Sequence, residues 1–296
     1  RLEMDESKWL GSWDVKSFAE LLDELADKAP SLAPGKAEAT VIAVAGPVER
    51  GHYSDPPNIP WDVDLIPSAK QWSMRRFALI NDFVSQAHAC LTPATEGAES
   101  ILPGEMDPES AIAVVGAGTG LGKCTLVPLH SPTGRRHVAV PSEGGHSDFP
   151  FLAQEEFEFG EFVRKETGRF VVGDLVLTGP GLNLIHRFLT GDDLRPRDIT
   201  ALIELGKAPK TLAWFARFYG RSCKNYVLEN MAMGGVFLTG GVTAKCPELA
   251  RNEAFAQAFI ANDTHGRYLA RVPVRLNANE DSGLWGAAAY AAQTLF

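Results

Sequence analysis

Apolar and polar positions along the chain predict a succession of buried strands and amphipathic helices. Ser17-Phe18-Ala19-Glu20 has the spacing of a capping box, and Phe18, Leu21, Leu22 and Leu25 then share one helical face. Residues 40–45 (TVIAVA) form a continuous apolar run, the pattern of a strand buried on both faces of a parallel sheet, and end in Gly46-Pro47. A loop over 51–60 carries Asn58 just before Trp61. A short helical stretch near 68–72 precedes a strand over 77–80, which runs straight into Asn81-Asp82 and a helix from Phe83 to about Leu91. Residues 92–110, rich in Pro, Gly and Glu, read as a connection. Beyond a glycine-rich segment come a possible strand over 138–140, a polar loop over 141–149 and a helix over 154–166. A short strand over 174–178 is punctuated by Gly179-Pro180-Gly181 and followed by a helix over 182–189. A turn over 192–196 leads to helices over 198–205 and 210–231, the longer with Leu212, Phe215, Phe218 and Tyr219 on one face. A strand over 236–239 ends in Gly240-Gly241; helix, strand (272–276) and an Ala-rich helix over 284–295 finish the chain.

This alternation is that of an α/β protein. Asn81, Asp82, Gly240 and Gly241 fall just after strand ends, where α/β sheets place ligands.

The glycine-rich segment is the most informative. An apolar run over 111–115 leads into Gly116, Gly118, Gly120 and Gly122, and a β-rich run over 124–127 follows, closed by Pro128. Such a turn lets backbone N–H groups crowd into a nest suited to an anion, most often phosphate. GAGTG is close to the dinucleotide fingerprint and AGTGLGKC to a P-loop, but both must open a helix. Here the sequel reads as strand, Pro128 would break a helix, and Cys124 stands where the P-loop needs Ser or Thr. The pattern is therefore strand, turn, strand: a phosphate-binding β-hairpin, or an ordinary tight hairpin with no ligand.

Asp82, at a strand's carboxyl end, is suited to accept a proton from an attacking hydroxyl; Asn81-Asp82 equally suits a helix cap. Glu143-Gly-Gly-His146 brings a carboxylate and an imidazole together on a loop, a combination suited to sugar hydroxyls. A metal reading of Glu143, His146 and Asp148 lacks a second His or Cys at suitable spacing. Gly240-Gly241 suits a close approach of nucleotide to backbone, or a plain helix-entry turn.

Composition narrows the classes. Hydrophobic residues are 45% and charged residues 22% of 296, the balance of a soluble globular protein with one large or two medium domains. The net charge of −9 argues against a nucleic-acid surface and offers no basic membrane patch. No apolar run approaches a membrane span and no signal peptide is visible, although the chain begins at Arg1 without Met. Four cysteines, Cys90, Cys124, Cys223 and Cys246, lie far apart with no CxxC, which points to a reducing, cytoplasmic setting.

In this order, AVAGPV (43–48), Asn58 with Trp61, LINDF (79–83), GAGTGLG (116–122), PSEGGHSDF (141–149), LTGPGLNLIHR (177–187), GGVFLTGGV (234–242) and DSGLWGAAAY (281–290) resemble the bacterial-type glucokinase family. These are ATP-dependent hexose kinases of the actin-like ATPase (ribonuclease H-like) fold. The resemblance implies two α/β domains with a cleft that closes over the sugar: a small one over 1–92 completed by the C-terminal helix 284–296, and a large one over 93–283. It implies Asp82 as the base that takes the proton of the glucose 6-hydroxyl. Asn58, Asn81, Glu143 and His146 would hold the other hydroxyls, with Asp174 at a further sugar-binding position. Gly118, Thr119 and Gly120, with Gly116, would hold the ATP phosphates; Gly240 and Gly241 would border the adenosine. Magnesium would bridge the phosphates, and no residue is assigned as a metal ligand. A homodimer is implied. The cysteines do not form the zinc motif of the related repressor–ORF–kinase group.

Three departures stand out. The family opens with a strand and a GGTN-type phosphate turn, and nothing here matches it. A truncated or incompletely given N-terminus would account for this; a natural loss would leave a sugar-binding or sensing protein without kinase activity. Asp174 stands where the family usually has Glu, four residues before TGPG, which loosens the preference for glucose over another hexose. Lys123 and Cys124 follow the phosphate turn without an assigned role.

Overall fold

A computed structural model describes residues 2–132 and 134–296. The chain forms two compact units, one of residues up to Glu96 together with Asn279–Phe296, the other Gly97–Ala278.

In the first unit, helix α1 (Phe18–Lys28) starts as the capping box predicts: Ser17 Oγ accepts the Glu20 N–H at 3.1 Å, and Glu20 Oε2 accepts the Lys16 N–H at 2.7 Å. Strand β1 (Thr40–Val44) is followed by the short antiparallel ribbon of β2 (Tyr53–Ser54) and β3 (Val63–Asp64). Helix α2 (Leu65–Gln71), strand β4 (Phe77–Asn81) and helix α3 (Asp82–Ala89) complete the run. β1 pairs in parallel with β4, bringing Val44 opposite Asn81. The expected burial of β1 on both faces is not met: Ala43 is exposed, because among the described residues β1 has a strand on one side only. The core holds Phe18, Leu22, Trp61, Val63 and Leu65. The C-terminal helix Ser282–Thr294 packs on α3, where Ser85 Oγ donates to the Gly283 carbonyl at 2.5 Å.

The second unit is built on β5 (Glu99–Leu102), β6 (Ile112–Ala117), β7 (Leu121–Ser131), β8 (Gly134–Ser142), β9 (Val236–Thr239) and β10 (Val274–Leu276). They form one sheet in the order β5-β10-β9-β6-β7-β8. β10, β9 and β6 are parallel; the other neighbours are antiparallel. β5 emerges inside the segment read as a connection. β7 runs through Pro128, beyond the last β6 pair at Leu126, where only β8 lies alongside and a missing N–H is tolerated.

Around the sheet lie α4 (Gln154–Thr167), α5 (Gly173–Val176), α6 (Gly179–Thr190), α7 (Pro196–Glu204), α8 (Pro209–Asn230), α9 (Gly241–Lys245), α10 (Glu248–Arg251), α11 (Glu253–Ile260) and α12 (Gly266–Leu269). The strand expected over 174–178 is instead the single-turn helix α5. Its apolar residues Leu175, Val176 and Leu177 are buried, and a short apolar run reads alike for a buried strand and a buried helical turn. Gly179-Pro180-Gly181 does not interrupt the chain but makes the first turn of α6. Thr178 Oγ1 accepts the Gly181 N–H at 3.2 Å, and Pro180 sits where no N–H is needed.

Helix α8 is the spine of the core. Phe215, Phe218 and Tyr219 are fully buried, and Tyr219 OH donates to the Val115 carbonyl of β6 at 3.1 Å. On its other flank Arg221 forks onto the buried Glu156 of α4, Nη1 to Oε2 at 2.7 Å and Nη2 to Oε1 at 2.9 Å. Arg221 also donates to the Pro150 carbonyl, and the Leu152 N–H donates to Glu156 Oε2, so this pair ties down the chain leaving residues 141–149.

Candidate active site

β6 and β9 run in parallel and end together, Gly116 opposite Thr239. β6 continues into Gly118-Thr119-Gly120 and β9 into Gly240-Gly241, so the two glycine turns lie at the same edge of the sheet. The first closes on itself: the Gly118 N–H donates to the Gly120 carbonyl at 2.9 Å, and the Gly118 carbonyl accepts the Gly179 N–H at 3.2 Å. Thr119 stands exposed at the apex. Gly116 belongs elsewhere than expected. It is buried inside the ladder, paired with Gly122 and Thr239, and shapes the hairpin rather than opening into its turn. β7 follows at once as strand, which removes the dinucleotide-fingerprint and P-loop readings.

Gly240 has φ +94°, and a Cβ there would lie 2.5 Å from the Ala117 carbonyl oxygen; only glycine allows β9 to turn this close to β6. Gly240-Gly241 is also a helix entry, opening α9.

Leu121, the first residue of β7, joins three segments. Its N–H donates to Asp174 Oδ1 at 2.6 Å, which ties the residue expected at the sugar to the hairpin. Its carbonyl is covered by Gly145, where an added Cβ would come within 2.1 Å. The Glu143–His146 loop is thereby seated on the strand that leaves the Gly118–Gly120 turn. Within the loop the His146 N–H donates to the Glu143 carbonyl at 2.9 Å, and His146 Nε2 lies 3.7 Å from Glu143 Oε2. Both side chains are more than half exposed, 59% and 54%, and so are accessible from solvent.

In the first unit, Asn81 and Asp82 stand at the carboxyl end of β4. Asn81 caps α3, its Oδ1 accepting the Phe83 N–H at 2.9 Å, and its Nδ2 donates to the Gly46 carbonyl beyond β1 at 3.0 Å. Asp82 Oδ1 also accepts the Phe83 N–H at 2.9 Å. Asn58 is exposed in the β2–β3 loop, and the preceding Pro57 rests on Gly46. Trp61 anchors this loop in the core, stacked on Phe18 with its Nε1 donating to the Ser12 carbonyl. Asn58, Asn81 and Asp82 thus gather around the end of the β1–β4 pair.

A family model for glucokinase matches residues 2–294. The chain belongs to the glucokinase family. It is 35% identical over 264 residues to a glucokinase of Xanthomonas oryzae pv. oryzae, an alignment covering 85% of this chain and 77% of that one. It is similar in structure to a glucokinase from an Antarctic psychrotroph, with TM-score 0.78, 26% identity, and coverage of 95% of this chain and 87% of the other. The fold also matches a Balamuthia mandrillaris glucokinase solved in complex with glucose, at TM-score 0.74 and 16% identity, over 93% of this chain and 83% of that one. The fold is accordingly that of the actin-like sugar kinases.

Among the described residues of this glucokinase-family chain, no group of three His, Cys, Asp or Glu could hold a metal, and none of its helices is long and apolar enough to cross a membrane. Cys124, Cys223 and Cys246 are buried and take part in no disulfide. Lys123 and Cys124 take opposite faces of β7. Cys124 enters the core, and Lys123, only 8% exposed, reaches toward the Glu143–His146 loop. The role of Leu121 has no signal in its residue type, because its contribution is made by backbone groups.

Proposed function

We propose that the chain transfers the γ-phosphoryl group of ATP to the 6-hydroxyl of glucose, with Asp82 as the base. As the hydroxyl oxygen attacks phosphorus, its proton passes to the Asp82 carboxylate and the bond from phosphorus to the leaving oxygen of ADP breaks. The Phe83 N–H fixes the plane of that carboxylate. Glu143, His146, Asn58 and Asn81 take the remaining hydroxyls, Thr119 and Gly120 meet the phosphates, and Gly240-Gly241 border the adenosine. With both substrates held and water excluded, the sugar hydroxyl outcompetes hydrolysis.

The observation that carries this reading is the convergence on Leu121 of the phosphate hairpin, the Glu143–His146 loop and Asp174. It supports nucleotide and sugar being handled at one place in the large unit. Magnesium would arrive on the phosphate oxygens of the nucleotide and offset their charge, since the described side chains build no cage for it. A cytoplasmic homodimer is proposed on the family resemblance, to be checked by sedimentation.

The test is calorimetry with glucose, followed by a coupled assay with ATP. Binding with turnover is expected. Binding without turnover would identify a sugar-binding protein instead of a kinase.

A further inference from the structure

Lys123 is a buried cation, and among the described residues no carboxylate forms a salt bridge with it. In the β7–β8 ladder it stands opposite Ser142, the last residue of β8. Among the described residues its ammonium has one hydrogen-bond acceptor, the Gly144 carbonyl at 3.4 Å, and lies over the Tyr226 ring at 5.3 Å. The nearby Cys223 supplies no anion, because burial pushes its thiol well up. Burial also lowers the pKa of the Lys123 ammonium from its ordinary range, opposed by the charge of Glu229. A methionine of similar length would fill the same space without this desolvation cost.

What the lysine does is legible at Gly144. The two peptide groups flanking the Gly144 Cα are both held: the Gly144 N–H donates to Ser142 Oγ at 3.1 Å, and the Gly144 carbonyl accepts from Lys123 and from the Ser147 N–H, each at 3.4 Å. Tyr226 braces the lysine's side: its hydroxyl accepts from Thr125 Oγ1 at 2.9 Å, and its ring lies beneath the ammonium. Gly144 sits between Glu143 and His146, so holding the peptide planes on both sides of its Cα constrains the directions in which both side chains leave the loop.

We propose that Lys123 is a positioning residue for the sugar: by clamping the Gly144 carbonyl it sets Glu143 and His146 on the glucose hydroxyls. It controls sugar affinity and leaves nucleotide affinity alone. This rests on the assignment of Glu143 and His146 to the sugar.

The test begins with the native chain, where glucose must bind and be turned over; failure there overturns the underlying reading before any variant is made. Lys123→Met is then compared for both KM values, kcat and Tm. The expected result is a glucose KM raised about tenfold, the loss of one charge-assisted hydrogen bond. The ATP KM and Tm should hold at or near native values, a split that a purely structural lysine would not give. A folded Lys123→Met with native glucose KM, or with both KM values rising together, overturns the proposal. Should that variant not fold, Ser142→Ala decides: it releases the other side of Gly144 without disturbing the core. A raised glucose KM with native ATP KM supports the clamp, and a native glucose KM overturns it.

Discussion

Asp174 accepts the backbone N–H of Leu121 at 2.6 Å, a charge-assisted bond at the exit of the phosphate turn. Removing it should loosen the hairpin where the nucleotide is proposed to bind. Asp174→Ala is expected to raise the ATP KM about 10- to 100-fold, the worth of a hydrogen bond to a charged group. Asp174→Asn, which keeps an acceptor oxygen, should fall between. A rise confined to the glucose KM would instead return Asp174 to the sugar.

Asp82→Asn leaves an oxygen for the Phe83 N–H but removes the proton acceptor. Turnover should fall by about 10²- to 10⁴-fold, the usual contribution of a positioned base. Glucose affinity by calorimetry should stay close to native. Near-native turnover would show that another group takes the proton.

Gly240→Ala combines φ +94° with a Cβ 2.5 Å from the Ala117 carbonyl. Strain and overlap together should cost about 2–4 kcal/mol, read as a lower midpoint in denaturant. A Cβ on neighbouring Gly241 meets nothing within 4 Å, so Gly241→Ala should leave stability within about 0.5 kcal/mol. Equal effects of the two would refute the close-approach argument.

Glu156 makes stability depend on pH. Burial works to raise its pKa, but the Arg221 hydrogen bonds, the Leu152 N–H and the charges of Arg221 and Arg217 hold it below the ordinary 4.5. A carboxylate depressed by folding contributes stability that is present above its unfolded pKa and lost as pH falls through the folded one. Native protein should therefore lose stability below about pH 4.5. Glu156→Gln should flatten that acid limb and cost about 3–5 kcal/mol near neutrality by leaving Arg221 buried and unpaired. Calorimetric scans across pH 3–7 check both.

The glycine hairpin was readable as strand, turn, strand because alternating glycines, a β-rich sequel and Pro128 leave few other solutions. Helix α1 was readable from Ser17 and Glu20 alone. β5 was not, since Glu99–Leu102 has no apolar alternation of its own and is strand only because β10 lies beside it. The turn of α5 reads equally as strand because the three buried apolar residues Leu175, Val176 and Leu177 carry no period. At the site, the polar side chains announce themselves by type, whereas Leu121 acts through its backbone and Lys123 through strand register. Gly116 was placed in the turn because composition cannot tell a ladder glycine from a loop glycine.

The double attachment of Leu121 has a thermodynamic consequence. Its N–H is held from the Asp174 side and its carbonyl is covered by the Glu143–His146 loop, so a shift of this one residue's backbone is felt on both sides. If nucleotide occupancy changes glucose affinity by some factor, glucose must change nucleotide affinity by the same factor. A synergy measured with one ligand therefore fixes the synergy with the other, and in Asp174→Ala both should shrink together.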